Sequence, residues 1–72
     1  MTKYQVIVGW GYNTEQLVGD EMSLNEARKL YIKLHAEWVD VWFDDEIESE
    51  EAQEDRPSLC VVRDDGTVES YY

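Results

Sequence analysis

Apolar and polar residues alternate from residue 4 to residue 10, with one side of the extended chain formed by Tyr4, Val6, Val8 and Trp10. A period of two that includes β-branched residues predicts a strand, and its apolar content favours the centre of a sheet. A glycine on each side of Trp10 predicts that a turn follows. The stretch from Glu15 to Asp20 predicts a second, weaker strand, in which Gly19 indicates a bulge or the end of the strand.

The spacing of apolar residues changes to a helical period after Ser23. Ser23 and Glu26 have the capping-box spacing, in which the serine hydroxyl accepts a hydrogen bond from the Glu26 N–H and the glutamate reaches back to the serine N–H. One helical face is then apolar and carries Leu24, Ala27, Leu30, Tyr31, Leu34 and Trp38. We expect one helix over about residues 24–37, with basic side chains on its outer side at Arg28, Lys29 and Lys33.

A period of two returns after this helix and predicts three further strands. In the first, Trp38 to Phe43, Trp42 and Asp40 share a face, and the strand is expected to run back along the first strand. The other two, Ser58–Arg63 and Thr67–Tyr72, are joined by a tight turn, because Asp65-Gly66 supplies the positive φ that a hairpin needs. The sequence therefore predicts an α+β fold: a single antiparallel β-sheet (β-β-α-β-β-β) with the helix packed on one face, the other face being either solvated or an interface.

Composition limits the chain to one small acidic domain that spans residues 1–72. Three Trp, five Tyr and one Phe supply much of the surface that such a domain can bury. The single Cys60 cannot form an intramolecular disulfide, which favours a reducing, cytoplasmic setting, the host cytoplasm if the chain is phage-encoded. No apolar run approaches the ~20 residues of a membrane span, and the N-terminus lacks the apolar segment of a signal peptide.

Charge is the most unusual property of the sequence. The formal net charge is -11, from 17 acids against six bases. Such a balance disfavours direct binding to nucleic acid or to anionic lipid and favours a basic, nucleic-acid-binding protein as partner. Ten of the acids lie between Glu37 and Asp55, a stretch without any Lys, Arg or His. Residues 44–56, which overlap the second half of this stretch, are expected to form a mobile loop or one short helix, because like charges at i,i+4 weaken a helix.

The sequence holds no pattern that identifies a catalytic or metal site. His35 lies at the edge of the apolar helix face, and Cys60 lies within a strand, where a free cysteine is usually buried and unreactive. A calcium-loop pattern that starts at Asp44 has Ser49 where glycine is needed and Asp55 where a bidentate glutamate belongs. We therefore expect no enzyme, no cofactor and no dedicated metal site, with weak divalent-cation binding as the remaining regulatory alternative.

The acidic run has two interpretations. It is either a solvated loop that serves solubility, or part of an anionic surface that resembles nucleic-acid phosphates, since alternate residues of a strand lie ~6.5–7 Å apart. In that reading Asp64, Asp65 and Glu69 belong to the same surface. In the second case exposed aromatic residues anchor the complex, with Trp42 first and Trp10 and Tyr72 as further candidates. The predicted partner-binding residues are Asp40, Trp42, Asp44, Asp45, Glu46, Glu48, Glu50, Glu51, Glu54 and Asp55.

In size and overall charge the chain resembles the small acidic inhibitors that phages and mobile elements use against host nucleic-acid enzymes. These include anti-restriction proteins, CRISPR inhibitors and uracil-DNA glycosylase inhibitors, which share no single fold. The resemblance implies a non-enzymatic DNA mimic that blocks a basic nucleic-acid-handling protein. The alternative is a small protein–protein interaction module or accessory subunit that uses an exposed sheet face or edge, with the acid serving solubility only.

Overall fold

The computed structural model describes residues 2–71, except for the side chains of Asp44 and Asp45. Its elements are strand β1 (Lys3–Val8), strand β2 (Gln16–Met22), helix α1 (Leu24–Val41), a 3-10 helix (Asp44–Glu48), helix α2 (Glu50–Glu54), strand β3 (Pro57–Val62) and strand β4 (Val68–Ser70). The predicted α+β class, with one antiparallel sheet and a long helix, is confirmed. Tyr72, the predicted end of the last strand, lies outside the described residues.

The four strands form one sheet in the order β2-β1-β3-β4, and every neighbouring pair is antiparallel. β1 is central, as its apolar content predicts, because it pairs with both β2 and β3. α1 follows β2 and packs on β1 and β3, and the 3-10 helix and α2 connect it to β3. The helix therefore covers one face of the sheet and leaves β2 and β4 at the edges.

The predicted strand from Trp38 to Phe43 is wrong. α1 continues through this stretch to Val41, and the strand that lies along β1 is β3. The sequence also fits a helix here, because Leu34, Trp38 and Val41 keep the i+4, i+3 spacing of the apolar face and no glycine or proline interrupts it. The helix prevails because Trp38 reaches the Ala52 carbonyl from a helical backbone. The helix is therefore longer than predicted, and the sheet has four strands in the described part of the chain.

The core lies between α1 and the covered face of the sheet. Val6, Ala27 and Leu59 are its buried centre. Val6 pairs with Val18 on one side and with Leu59 on the other, so three adjacent strands present apolar side chains to the helix. The partly buried residues packed around this centre are Tyr4, Val18, Met22, Leu24, Leu30, Tyr31 and Leu34.

The hairpin turn and one half of the capping box are confirmed. At the start of α1, the Ser23 hydroxyl accepts from the Glu26 N–H at 3.4 Å, as predicted, but the Glu26 carboxylate accepts from the Ser23 hydroxyl, at 3.3 Å, rather than from the Ser23 N–H. In the β3–β4 hairpin, Gly66 has the expected positive φ of 88°. Asp65 accepts from the N–H of Thr67 at 2.9 Å and from its hydroxyl, and these bonds hold the pKa of Asp65 below its ordinary value.

The loop between β1 and β2 packs closely against the end of α2. The Gly9 N–H donates to the Arg56 carbonyl at 2.9 Å, and the Thr14 hydroxyl donates to the Glu54 carbonyl at 3.2 Å. A Cβ atom at Gly9 would lie 2.6 Å from the Glu54 carbonyl oxygen, so only glycine fits. The expected bulge at Gly19 is also present, since the pairing of β1 with β2 shifts register between Tyr4 and Val6.

We expect Gly9→Ala to destabilise the fold more than Gly11→Ala. Both glycines have positive φ, 77° and 86°, but a Cβ at Gly11 meets nothing within 4 Å. The clash with the Glu54 carbonyl should therefore lower the free energy of unfolding by a further ~1–3 kcal/mol. Urea denaturation of both variants measures the difference, and equal losses would show that the loop does not approach α2 so closely.

Candidate partner-binding surface

The acidic stretch forms one end of the molecule. We call its ten carboxylate residues, from Glu37 to Asp55, the acidic end. They lie on the last turns of α1, on the 3-10 helix, and on α2 with the residue that follows it. These elements adjoin the Val8 end of β1, whereas the β3–β4 hairpin lies at the Lys3 end. The rest of the chain carries seven acids and six bases, so nearly all of the net charge belongs to this end.

The described carboxylates of the acidic end face solvent. Seven are exposed and Glu54 is half-buried; the exposed ones are Glu37, Asp40, Glu46, Glu48, Glu50, Glu51 and Asp55. Asp44 and Asp45 have their backbone in the 3-10 helix, and their side chains lie outside the described part. Among side chains that the structure describes, none of these acids makes an ion pair. Asp64, Asp65 and Glu69, expected on the same surface, lie instead on the hairpin at the other end of the sheet, where Glu69 pairs with Arg63 at 2.7 Å.

This charge placement opposes the dipole of α1. The C-terminus of a helix carries a partial negative charge, which basic residues stabilise and acidic residues destabilise by about 0.3–1 kcal/mol. The last turn of α1 contains no basic residue, and Asp40 lies within it. At α2 the sign is favourable, since Glu50 and Glu51 occupy the first turn. The acids near the end of α1 are therefore not explained by helix stability.

One buried hydrogen bond fixes α2 against α1. The Trp38 indole N–H donates to the Ala52 carbonyl at 2.7 Å, and Ala52 is fully buried. Within the segment, the Gln53 side-chain amide donates to the Ile47 carbonyl at 2.9 Å. The Ser49 hydroxyl donates to the Glu46 backbone carbonyl at 2.6 Å and accepts from the Ala52 N–H at 3.2 Å. The segment predicted as a mobile loop or a short helix is therefore two short helices with defined bonds.

Trp42 does not share a face with Asp40, and that prediction is wrong. In a helix two residues apart are separated by about 200° around the axis, whereas in a strand they lie on the same side. Trp42 follows α1, and its N–H donates to the Trp38 carbonyl at 3.0 Å. Its side chain is half-buried rather than fully presented to solvent, and so is that of Trp10; Tyr72 lies outside the described residues.

A groove of about 220 Å3 lies beside Trp42. It is lined by Val8, Leu34, Glu37, Trp38, Val41, Trp42, Asp55 and Pro57. Because Trp38 and Pro57 are buried while Glu37 and Asp55 are exposed, the groove has an apolar base and two carboxylates at its opening. The acidic end thus combines charge with an apolar recess.

Sequence reasoning missed the apolar part of this surface. Val41 and Phe43 are 69% and 62% exposed, and Glu37 lines the groove although it is not among the predicted contacts. The signal that could have found them is the helical spacing from Leu34 to Val41. A helix extended to Val41 places Val41 and Glu37 one turn apart, on the same side of α1.

The two residues with nucleophile or base chemistry lie on opposite sides of the sheet. His35 is half-buried on α1, with ring centroids 5.5 Å from Tyr31 and 5.4 Å from Trp38. Cys60 alternates with Leu59, whose side chain faces α1, so Cys60 faces away from the helix. Burial raises the pKa of the Cys60 thiol to about 11, and the negative charge of Glu15 adds to the effect.

Comparisons with known proteins add no family to this description. No protein-family model, no curated protein and no solved structure matches the chain. Within the part of the chain that the structure describes, no His, Cys, Asp and Glu side chains are grouped so that they could hold a metal ion. Of the helices between residues 2 and 71, none has both the length and the apolar character of a membrane span. Charge and geometry are therefore the basis for assigning a function.

We expect Trp38→Phe to loosen α2 without unfolding the sheet. The substitution keeps an aromatic ring but removes the indole N–H, which leaves the buried Ala52 carbonyl without its donor, at a cost of about 1–3 kcal/mol. Hydrogen exchange should show lost protection at Ala52 and Gln53 and retained protection at Val6. Trp42→Phe is the control, and equal exchange in the two variants would contradict the role of the indole bond.

The thiol of Cys60 should react slowly in the folded protein. With the pKa raised from 9.0 to about 11, the thiolate fraction at pH 8 falls roughly 100-fold, and burial restricts access further. Reaction with a disulfide reagent should therefore be slow at pH 8 and should accelerate as the pH rises toward 11. Unfolding in guanidinium should remove the delay, and rapid labelling of the native protein would contradict the buried position.

Proposed function

We propose that this protein is a non-enzymatic inhibitor that binds a basic, nucleic-acid-handling protein through its acidic end. The observation that carries the proposal is the concentration of ten carboxylate residues in a defined segment at one end of the fold. The described carboxylates there have no basic partner within the described chain. In the proposed complex, the lysines and arginines that normally contact phosphates supply those partners.

The backbone geometry that supports this proposal is helical. The acids lie on α1, the 3-10 helix and α2, so the strand spacing expected from the sequence does not apply to them. Residues three or four apart on a helix have Cβ atoms about 5–6 Å apart, so Glu50 and Glu54 are neighbours on one side of α2. Carboxylates held at such intervals present a row of negative charge to a cleft that accommodates a phosphate backbone.

The acids reduce the stability of the segment that carries them. Like charges within α2, and acids at the C-terminal end of α1, both destabilise the helices that carry them. Internal ion pairs would offset this cost, yet the described acids make none in this segment. A basic partner offsets it on binding, speeds association through long-range attraction, and makes the affinity fall as salt rises.

A second candidate is an interaction module that uses the sheet face opposite α1. Leu17 favours it, because its side chain is 63% exposed on the edge strand β2 and pairs with Ile7 on that face. The outer edge of β2 has no further strand beside it in the described part of the chain. Affinity that is insensitive to salt, and unaffected by changes in the acidic end, would favour this candidate.

We expect Glu48→Lys/Glu51→Lys to weaken partner binding at low salt by about tenfold or more. The matched control is Asp20→Lys/Glu21→Lys, which changes the net charge equally on exposed residues near the other end of β1. Each immobilised variant is mixed with a nuclease-treated lysate of the source cells or their host. We purify the proteins that meet three conditions. They bind to the wild type and to the control variant, they do not bind to the acidic-end variant, and salt elutes them.

Binding of the purified protein to labelled DNA or RNA is then measured by fluorescence anisotropy. We expect this binding to fall as increasing amounts of the inhibitor are added. Equal retention by the two double variants would show that net charge, not the acidic end, governs binding. A retained protein that binds nucleic acid and the inhibitor at the same time would also exclude blocking.

A further inference from the structure

We propose that the groove beside Trp42 binds an arginine side chain of the basic partner. This inference rests on the proposed function, since it assigns one contact within that complex. An arginine has three features to satisfy: an apolar stem, a planar cation and donors that suit carboxylates. The groove offers a complement to each of them.

The stem of the arginine fits the apolar base. Val8, Leu34, Val41 and Pro57 line the groove and come from β1, α1 and β3. Long basic side chains bury their methylene groups along such surfaces while the charged head stays near polar groups. Pro57 is the buried first residue of β3, so the base of this open groove reaches the end of the sheet.

The guanidinium meets two kinds of group. Trp42 is half-buried beside Trp38, so indole surface lines the groove at a partly desolvated position, where cation–π attraction is stronger than on an open surface. Glu37 and Asp55 are exposed at the opening and come from two separate segments. Their carboxylates accept the N–H donors of the guanidinium in a planar arrangement that lysine does not reproduce.

Charge decides against an apolar occupant. A leucine or phenylalanine side chain could fill the recess, but it would bring apolar atoms against Glu37 and Asp55 and remove water from them without replacing its hydrogen bonds. An arginine replaces that water with charge-assisted hydrogen bonds. Arginine is also the side chain that nucleic-acid-binding proteins use for bidentate contacts, so a partner of the proposed kind has it available.

The probe is the blocked tripeptide acetyl-Gly-Arg-Gly-amide, compared with its lysine and citrulline counterparts. Binding is followed by 1H–15N NMR of the indole N–H signals, where Trp10 is an internal reference because it does not line the groove. We expect the arginine peptide to shift the signals of Trp42 and Trp38, the lysine peptide to bind about threefold more weakly, and the neutral citrulline peptide to cause no shift.

Paired variants separate the groove from general attraction. Glu37→Gln/Asp55→Asn removes the carboxylates at the opening, and Glu48→Gln/Glu51→Gln removes the same charge from exposed positions outside the groove. We expect the first pair to weaken the arginine peptide about tenfold and the second less than about twofold. Well-dispersed spectra of each variant show that the fold is intact.

Three results would overturn the inference: no shift of the groove signals, equal affinity for arginine and lysine peptides, or equal losses in the two double variants. Each leaves the proposed function standing, because a basic protein can still bind the acidic end without this contact. The opposite combination is also informative. If the arginine peptide binds as expected but the captured protein still binds nucleic acid in the presence of the inhibitor, the blocking function is wrong and the groove is still an arginine site.

Discussion

The bond from the Trp38 indole to the Ala52 carbonyl is the contact on which the acidic end depends. It is buried, and it joins two helices that would otherwise be held together by little, since α2 has five residues and carries like charges. Short helices of this kind are not stable alone in water. With the bond in place, α2 acquires a fixed position, the chain enters β3 beside β1, and the groove forms between α1 and Pro57.

Repulsion among the carboxylates of the acidic end acts against the stability of the fold. Small domains have narrow margins of stability, and the repulsion among carboxylates reduces that margin. The fold tolerates it because the acids face solvent and the buried residues beneath them, Ala52, Leu59 and Val6, are apolar. Charge is therefore carried by the surface of a segment whose attachment to the rest of the molecule is apolar and hydrogen-bonded.

The proposed function divides recognition between charge and shape. Carboxylates over the whole acidic end attract a basic surface from a distance, and salt weakens that attraction. The groove beside Trp42 acts at contact, where a partly desolvated indole and two carboxylates favour one kind of side chain over another of equal charge. Attraction without such a contact would bring the protein to any cation-rich surface, so in the proposed complex selectivity rests on the groove.

The sequence by itself determined what depends on neighbours along the chain: the central strand at Tyr4–Val8, the Ser23 cap, the Asp65-Gly66 hairpin and the gathering of acid before Asp55. Local backbone preference and side-chain alternation suffice for these. Only the tertiary structure decided the state of Trp38 to Phe43, because six residues fit a period of two and a period of 3.6 almost equally well. The helix prevails there because Trp38 reaches Ala52 and Val41 reaches the groove from a helical backbone, and those partners are distant in the sequence.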